Sequence, residues 1–441
     1  MVNSFYISGT RPFPVKGRAK KTRLSLLLYL VIFAVIQLNF QKVLYDLLGV
    51  PLDSGASHPI LLLWAFMLLI VLAFSAARLF SLVRLRRVEA WAVLFLVVCA
   101  SHGLIIGATS GLTVGIFSFL AWGIGVGVFF QVGRDASCDG PRFVIFILVF
   151  SGMLQAVPTL WESVMGVTIF KQVTIANLTR LYGISQSVSI LGIQLAVGII
   201  ASIYLLFTSK NKLLISIIIV IQLWALIAST SRGPFIYMMF VLYIISLLLP
   251  STTEKKIIWA LLVAALVSFA ILLALGFSTQ SSAAIQQSFL LEALNFDDTG
   301  NSERLRYYGG ALEVLFSSFP TLILGHGSGM LSIIQARSGG YEFGVESSFL
   351  KIFLELGVLG AIPFFAVIVV SLRTALANWK RKRDMSSLFL FACLLVVVMQ
   401  MTTHELMKAW IGGVYLWMIA GGILHTRVFP RDYQRSNMAA E

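Results

Sequence analysis

Along this chain the apolar residues neither alternate nor recur on one narrow helical face; they run on. Twelve runs stand at about 24–42, 59–80, 88–107, 111–131, 142–160, 185–207, 212–229, 233–249, 257–276, 347–371, 387–402 and 408–425. Each comes near the roughly 20 residues a helix needs to cross about 30 Å of hydrocarbon. A backbone in lipid must satisfy its own hydrogen bonds, so each run is expected to be helical. That holds even for strand-like stretches such as Ile217–Ile221. The pattern therefore predicts an all-α polytopic membrane protein with about twelve transmembrane helices. Its segments are a basic tail (1–23), nine spans (24–276), a long loop with helices of its own (277–346), three spans (347–425) and a second tail (426–441). Only Ala108-Thr109-Ser110 separates the third and fourth runs, which predicts a tight hairpin. No internal repeat, low-complexity tract or second domain is visible.

Composition agrees with this reading, and charge orients it. The 441 residues are 58% hydrophobic and only 12% charged, too few charges to cover a soluble surface. The net charge of +14 raises nucleic acid as a partner, but no basic-aromatic domain exists to carry such binding. The charges lie instead where a topology rule puts them. With the N-terminus inside, inner segments and their flanks hold 24 of the 33 Lys and Arg; outer segments hold eight, and Lys351 lies within a span. This positive-inside excess predicts cytoplasmic N- and C-termini, with basic flanks near anionic lipid headgroups. The first run follows positive charges but lacks a small-x-small cleavage site, so it reads as a retained signal anchor. Cys99 and Cys393 fall within spans and Cys138 in an inner loop, so no extracytoplasmic disulfide is expected.

Candidate chemistry gathers at the outer boundary. The turn Ser229-Thr230-Ser231-Arg232-Gly233-Pro234 joins two spans with almost nothing, yet keeps an arginine. An arginine there faces a partner or water, and the helix start beside it offers anion-binding amides. In the long loop, Asn301 or Ser302 is expected to cap a helix running through Arg304, Arg306, Tyr307 and Tyr308 and ending before Pro320. Arg304 and Arg306 stand about 200° apart on it, so they cannot serve one site equally. Glu303 is placed to neutralise Arg306, and Arg304 shares its face with Tyr307, Tyr308 and Ala311. A glycine turn follows, Gly325-His326-Gly327-Ser328-Gly329.

The third place is the mouth of the tenth span, Glu346 through Gly360. Glu346 is at the interface, where desolvation favours a general base. Glu355 lies nine residues on, about 13 Å deeper and half a turn round, so it is no second catalytic carboxylate. Lys351 and Glu355, four residues apart, are expected to neutralise one another. His326 and His404 are further candidates for an acid or base. No metal-ligand spacing, phosphate-binding P-loop or GxSxG elbow occurs, so neither metal nor cofactor is expected.

These residues carry a resemblance. The spans, the long outer loop and the motif Glu346, Phe349, Leu350, then Glu355-x-Gly357-x-x-Gly360 resemble the O-antigen polymerase/ligase superfamily. Ser231-Arg232-Gly233 and the Arg304–Tyr308 helix before a Gly-x-Gly-x-Gly turn match other family features in the same order. The resemblance implies a metal-independent membrane glycosyltransferase of the GT-C type in the bacterial inner membrane. Its active site would be periplasmic, and its donor and acceptor would be undecaprenyl-diphosphate-linked oligosaccharides. Arg232 and Arg304 would hold the diphosphate and Glu346 would act as base. Arg306, Tyr308, His326 and His404 remain candidate accessory residues, and Tyr307, Tyr308, Tyr341 and Phe343 are placed to stack on sugar rings. A chain-length regulator is an expected partner. Ligases usually carry histidine where Glu346 stands, and the carboxylate looks more like the Wzy-type polymerases.

Polymerisation of repeat units is thus the leading expectation, with transfer of the glycan to lipid A-core as the alternative. Cell-wall polymerases of the shape, elongation and division class share the general plan, but with the acidic residue in a different loop context. A lipid-linked oligosaccharide flippase predicts charges mid-span or broken inverted repeats. Here the ionisable residues sit at the outer boundary, with Lys351 and Glu355 the main exceptions.

Overall fold

The computed structural model describes residues 87–425 except 111, 140, 166–173, 176–177, 180, 182, 184, 186–187, 230, 279–298, 328–346 and 405–410. The two expected spans at 24–42 and 59–80, both tails, and the loop residues Glu346, Tyr341 and Phe343 lie outside the described residues.

Twelve helices are described: α1 (Arg87–Ser110), α2 (Leu112–Asp139), α3 (Arg142–Met165), α4 (Val188–Thr208), α5 (Lys212–Ala228), α6 (Arg232–Leu248), α7 (Thr252–Ser278), α8 (Thr299–Leu315), α9 (Phe319–Leu324), α10 (Ser348–Lys382), α11 (Met385–Thr403) and α12 (Ile411–His425). Apart from these there is one two-residue antiparallel ladder, β1 (Thr174–Ile175) with β2 (Leu178–Thr179). Five of the helices, α1, α3, α4, α10 and α11, are long and apolar enough to cross a membrane. Residues 212–228, 233–248 and 413–424 form shorter apolar helices.

Of the twelve expected spans, five are matched by helices of membrane-crossing length and apolarity among the described residues, and the further differences from the sequence reading fall at helix ends. The hairpin at 108–110 is tighter than expected, since α1 runs through Ser110 and α2 begins at Leu112. Facing glycines allow it: a Cβ on Gly103 would lie 2.9 Å from Gly115 O, so the two backbones nearly touch. α2 continues to Asp139, which puts Cys138 in a helix rather than a loop. The loop helix α8 starts at Thr299, so Asn301 and Ser302 are inside it rather than capping it. Several cap-type residues in a row leave the start ambiguous from sequence. Pro320 does not merely follow a helix; it opens α9, capped by Ser318, whose hydroxyl accepts from Thr321 N at 3.2 Å.

Successive helices joined by a few residues pack side by side and so alternate in direction. This gathers Arg142, Lys210, Lys212, Lys255, Lys256 and the Lys380–Arg383 run at one end, called here the basic end. The opposite end collects the starts of α4, α6 and α10 and the finishes of α3 and α11. At the basic end α10 stops with Arg383 in a left-handed conformation (φ 52). Asp384 then caps α11 by accepting from Ser386 N and from the Ser386 and Ser387 hydroxyls, at 3.2, 2.7 and 2.6 Å.

The core is continuous through the bundle. α4 is its axis, packing against α3, α5, α6 and α11 with nearly all its side chains buried. Rings join the other half: Phe95 of α1 stands 5.5 Å from both Phe364 of α10 and Trp417 of α12, and Phe129 of α2 lies 5.8 Å from Trp417. Large apolar side chains left exposed, such as Leu104, Val220, Ile236 and Leu247, are what a lipid-facing surface requires.

Candidate functional site

The start of the site is a broken helix. Inside α10, Gly357 has φ 62 and ψ −168, a conformation that glycine alone adopts readily. The break releases the carbonyls of Leu354 and Glu355 from the helical ladder. The long loop takes them up: His326 N donates to Leu354 O at 2.7 Å and Gly327 N to Glu355 O at 2.9 Å. Gly325 has nearly the same backbone twist, φ 72 and ψ −175. The two glycines face one another, since a Cβ on either would come within 2.6 Å of the other's amide nitrogen. The Glu-x-Gly segment of the sequence motif is therefore one half of a clasp, and Gly357 and Gly325 together let the long loop lie against an opened helix.

A buried ion pair anchors the clasp below. Glu355 is 2% exposed; its Oε1 lies 3.6 Å from Lys351 Nζ and its Oε2 accepts from Trp122 Nε1 at 2.9 Å. Lys351 and Glu355 do pair, as their spacing implied. The indole partner on α2 could not be read from sequence. A buried carboxylate is tolerable only when its charge is paired and its lone pairs are used, and both conditions hold here. Beside it α8 packs on α10 through Ala311 and Leu315, which bury against Leu354 with Tyr307 and Leu350 at the margin. Position 304 lies seven residues before Ala311, almost two turns, and so on the docking face. Arg306 faces solvent with its guanidinium 5.6 Å from the Tyr307 ring centre.

The second half of the site is where three helix ends meet. Ser347 and Ser348 begin α10 by serving the end of α11: Ser347 Oγ donates to Met401 O at 3.4 Å, and Ser348 Oγ and N donate to His404 O at 2.9 and 3.3 Å. The last carbonyls of α11, which a helix leaves unpaired, are thereby satisfied. The start of α6 arrives from the other side. Its turn packs on Gly192 of α4, where a Cβ would strike the Ser231 hydroxyl. Ser231 makes no capping bond with its side chain, so it does not occupy the first-turn amides of residues 232 and 233. One turn in, the Tyr237 hydroxyl meets Thr403 Oγ1 at 3.2 Å, tying α6 to α11. His404 Nδ1 is held by Gln400 Nε2 at 2.7 Å and Thr403 Oγ1 at 3.0 Å.

The structure thus brings the helix starts bearing position 232 and Ser347 to the same end of α11, with His404 between them. It places His326 in the clasp, its backbone spent on Leu354 and its Nε2 buried without a hydrogen-bond partner among the described residues. Tyr308 is half-buried on α8. Arg232 and Arg304 sit in described helices, though their side chains are not described, and Glu346 lies outside the described residues. Sequence reasoning passed over Gln400, Tyr237, Thr403 and Trp122. The signal for Gln400 was present, a glutamine one turn before His404 in an otherwise apolar run.

These features define a polytopic helical membrane protein with a polar site where α6, α10 and α11 meet. Residues 217–365, about a third of the chain, match the family model described as O-antigen ligase. The match runs from within α5 to beyond the α10 break, covering the Ser231–Pro234 turn, α8, the clasp and Glu346. Over this segment the chain is similar to that family. No curated protein matches the chain.

Proposed function

We propose that this chain is a GT-C-type glycosyltransferase that polymerises undecaprenyl-diphosphate-linked oligosaccharide repeat units into O-antigen or a related polysaccharide at the periplasmic face of the inner membrane. The observation that carries the reading is the meeting of the α6 start with the α10 start around the end of α11. Two helix N-termini at one place favour an anion, which a lipid diphosphate supplies. Glu346 stands one peptide bond before Ser347, whose hydroxyl is fixed on α11.

In this reading Arg232 and Arg304 hold the diphosphate and offset the charge that develops as it leaves. Glu346 takes the proton from an acceptor sugar hydroxyl as that oxygen attacks the anomeric carbon of the donor. The new glycosidic bond forms as the bond to the diphosphate oxygen breaks, so no nucleotide or metal is needed. One direct displacement inverts the anomeric centre; a glycosyl ester on Glu346 would retain it. A chain-length regulator is the partner this activity calls for.

The description of the matching family favours a second reading, transfer of the glycan to lipid A-core. Inactivating the gene in the native host separates the two. A polymerase predicts lipid A-core bearing a single repeat unit. A ligase predicts bare core with long polymer left on undecaprenyl diphosphate. An unaltered surface polysaccharide would overturn both.

A further inference from the structure

The long loop carries exposed apolar side chains that the chemistry above does not use. Leu312 and Phe316 of α8 and Phe319 and Leu324 of α9 are all exposed, Phe316 to 65% and Phe319 to 75%. At about 100° per residue the surface of α8 divides into three stripes. Ala311 and Leu315 form the one that docks on α10. Arg306, Glu313 and Ser317, all exposed, form a second. Leu312 and Phe316 form the third, about a quarter turn from the polar stripe. A helix with water on both free sides has no use for an apolar one. A helix lying along a lipid–water boundary has one side for each.

The height of the loop says what covers the apolar stripe. His326 and Gly327, directly after α9, are bonded to Leu354 O and Glu355 O, and Glu355 Oε2 accepts from Trp122 Nε1. Trp122 stands ten residues inside α2, about 15 Å below the start of that helix. α9 therefore ends beside the bundle rather than above it. Exposed apolar surface continues outward of this level. Leu104, 74% exposed, follows Gly103 on α1, and Gly103 faces Gly115 and Phe119, both ahead of Trp122 on α2. Exposed apolar surface continues below as well, at Leu359 and Ile362 of α10, just past the clasp. The α8–α9 corner lies within the apolar band that the bundle presents to the bilayer.

We propose that this corner is immersed in the leaflet opposite the basic end, with Leu312, Phe316, Phe319 and Leu324 against phospholipid acyl chains and the Arg306–Glu313 stripe toward water. The long loop is then seated in the membrane instead of standing over it as a solvated cap. This needs only the bilayer and is independent of the reaction proposed above.

The test places a nitroxide label on the full-length protein in nanodiscs of phosphatidylethanolamine and phosphatidylglycerol. The parent carries Cys138→Ser; Cys99 and Cys393 are buried and should take no label. Phe316→Cys and Glu313→Cys, three residues apart on α8, are labelled in turn. Collisions are measured with oxygen, which partitions into lipid, and with a water-soluble nickel chelate. Oxygen should dominate at 316 and the chelate at 313. Phe319→Cys repeats the lipid-side measurement and decides should Phe316→Cys fail to insert. Chelate dominating at 316 and 319 would put the apolar stripe in water and overturn the proposal. Neither reagent reaching them would mean that protein covers the stripe, whether another segment of this chain, a second copy or a partner, and would overturn it too. So would an oxygen signature that appears only on adding undecaprenyl phosphate, since the stripe would then seat one isoprenoid chain rather than bulk lipid.

Discussion

The clasp and the α6 start are built on opposite rules. At the clasp the freed backbone groups and the buried carboxylate find partners, with only His326 Nε2 left without one among the described residues: the carbonyls of Leu354 and Glu355 are taken by His326 N and Gly327 N, and Glu355 is held by Lys351 and Trp122. At the α6 start Ser231 makes no side-chain cap to its own helix, so it leaves the first-turn amides of residues 232 and 233 unoccupied. Satisfied polar groups fix a geometry, whereas unsatisfied ones wait for something else to fill them. The first region holds the long loop in place; the second is where the proposed function puts the substrate. Substitutions in the clasp should therefore cost stability and activity together, and those at the α6 start should cost activity alone.

The largest effect expected is from Gly357→Ala or Gly325→Ala. Each puts a Cβ against the other strand of the clasp at a backbone conformation that L-residues avoid. Several kcal/mol should be lost, seen as a lower melting temperature in detergent and a near-complete loss of surface polymer. A folded, active Gly357→Ala protein would mean that the clasp is not needed.

Next in size is the ion pair. Lys351→Met takes the Lys351 cation away from buried Glu355 and should cost about 3–5 kcal/mol. Adding Glu355→Gln should recover much of that, which a double-mutant cycle on melting temperature reads directly. If the double variant is no better than the single one, the pair is not coupled. Trp122→Phe should cost less, about 1.5–3 kcal/mol, the range for one hydrogen bond to a charged group.

The smallest effect separates two neighbouring arginines. Arg306 is exposed, so Arg306→Ala should change stability by less than about 0.5 kcal/mol and leave polymer length unaltered. Arg304→Ala, on the face docked against α10, should abolish polymerisation while the protein still inserts. Equal phenotypes would dissolve the distinction between the two faces of α8.

How much of this was legible beforehand follows from what each feature depends on. Membrane helices declare themselves locally, because lipid demands about 20 apolar residues in a row. The candidate residues at 232, 346 and 404 were visible as charge or histidine kept at span boundaries, and those at 304 and 326 as charge or histidine in the long loop. The Lys351–Glu355 pair needs only i,i+4 spacing. Contacts between distant segments were not visible. Nothing in the spacing says that Gly325 meets Gly357, that Trp122 reaches Glu355 across 233 residues, or that Gln400 faces Gly233. Helix ends also slipped where several residues are equally good caps, as at Thr299–Ser302.

The central claim is that a carboxylate beside the α10 start drives polymerisation, and Glu346→Gln tests it most directly. The variant should be expressed in the native host, its insertion checked, and the surface polysaccharide resolved on a gel. The side chain keeps its size and loses its basicity, so the protein should insert normally while turnover falls by about 10²–10⁴. The account predicts that the long ladder collapses to a single repeat unit on the lipid core. An undiminished ladder from normally inserted protein would contradict it and leave Glu346 as no more than an acidic residue at a helix start.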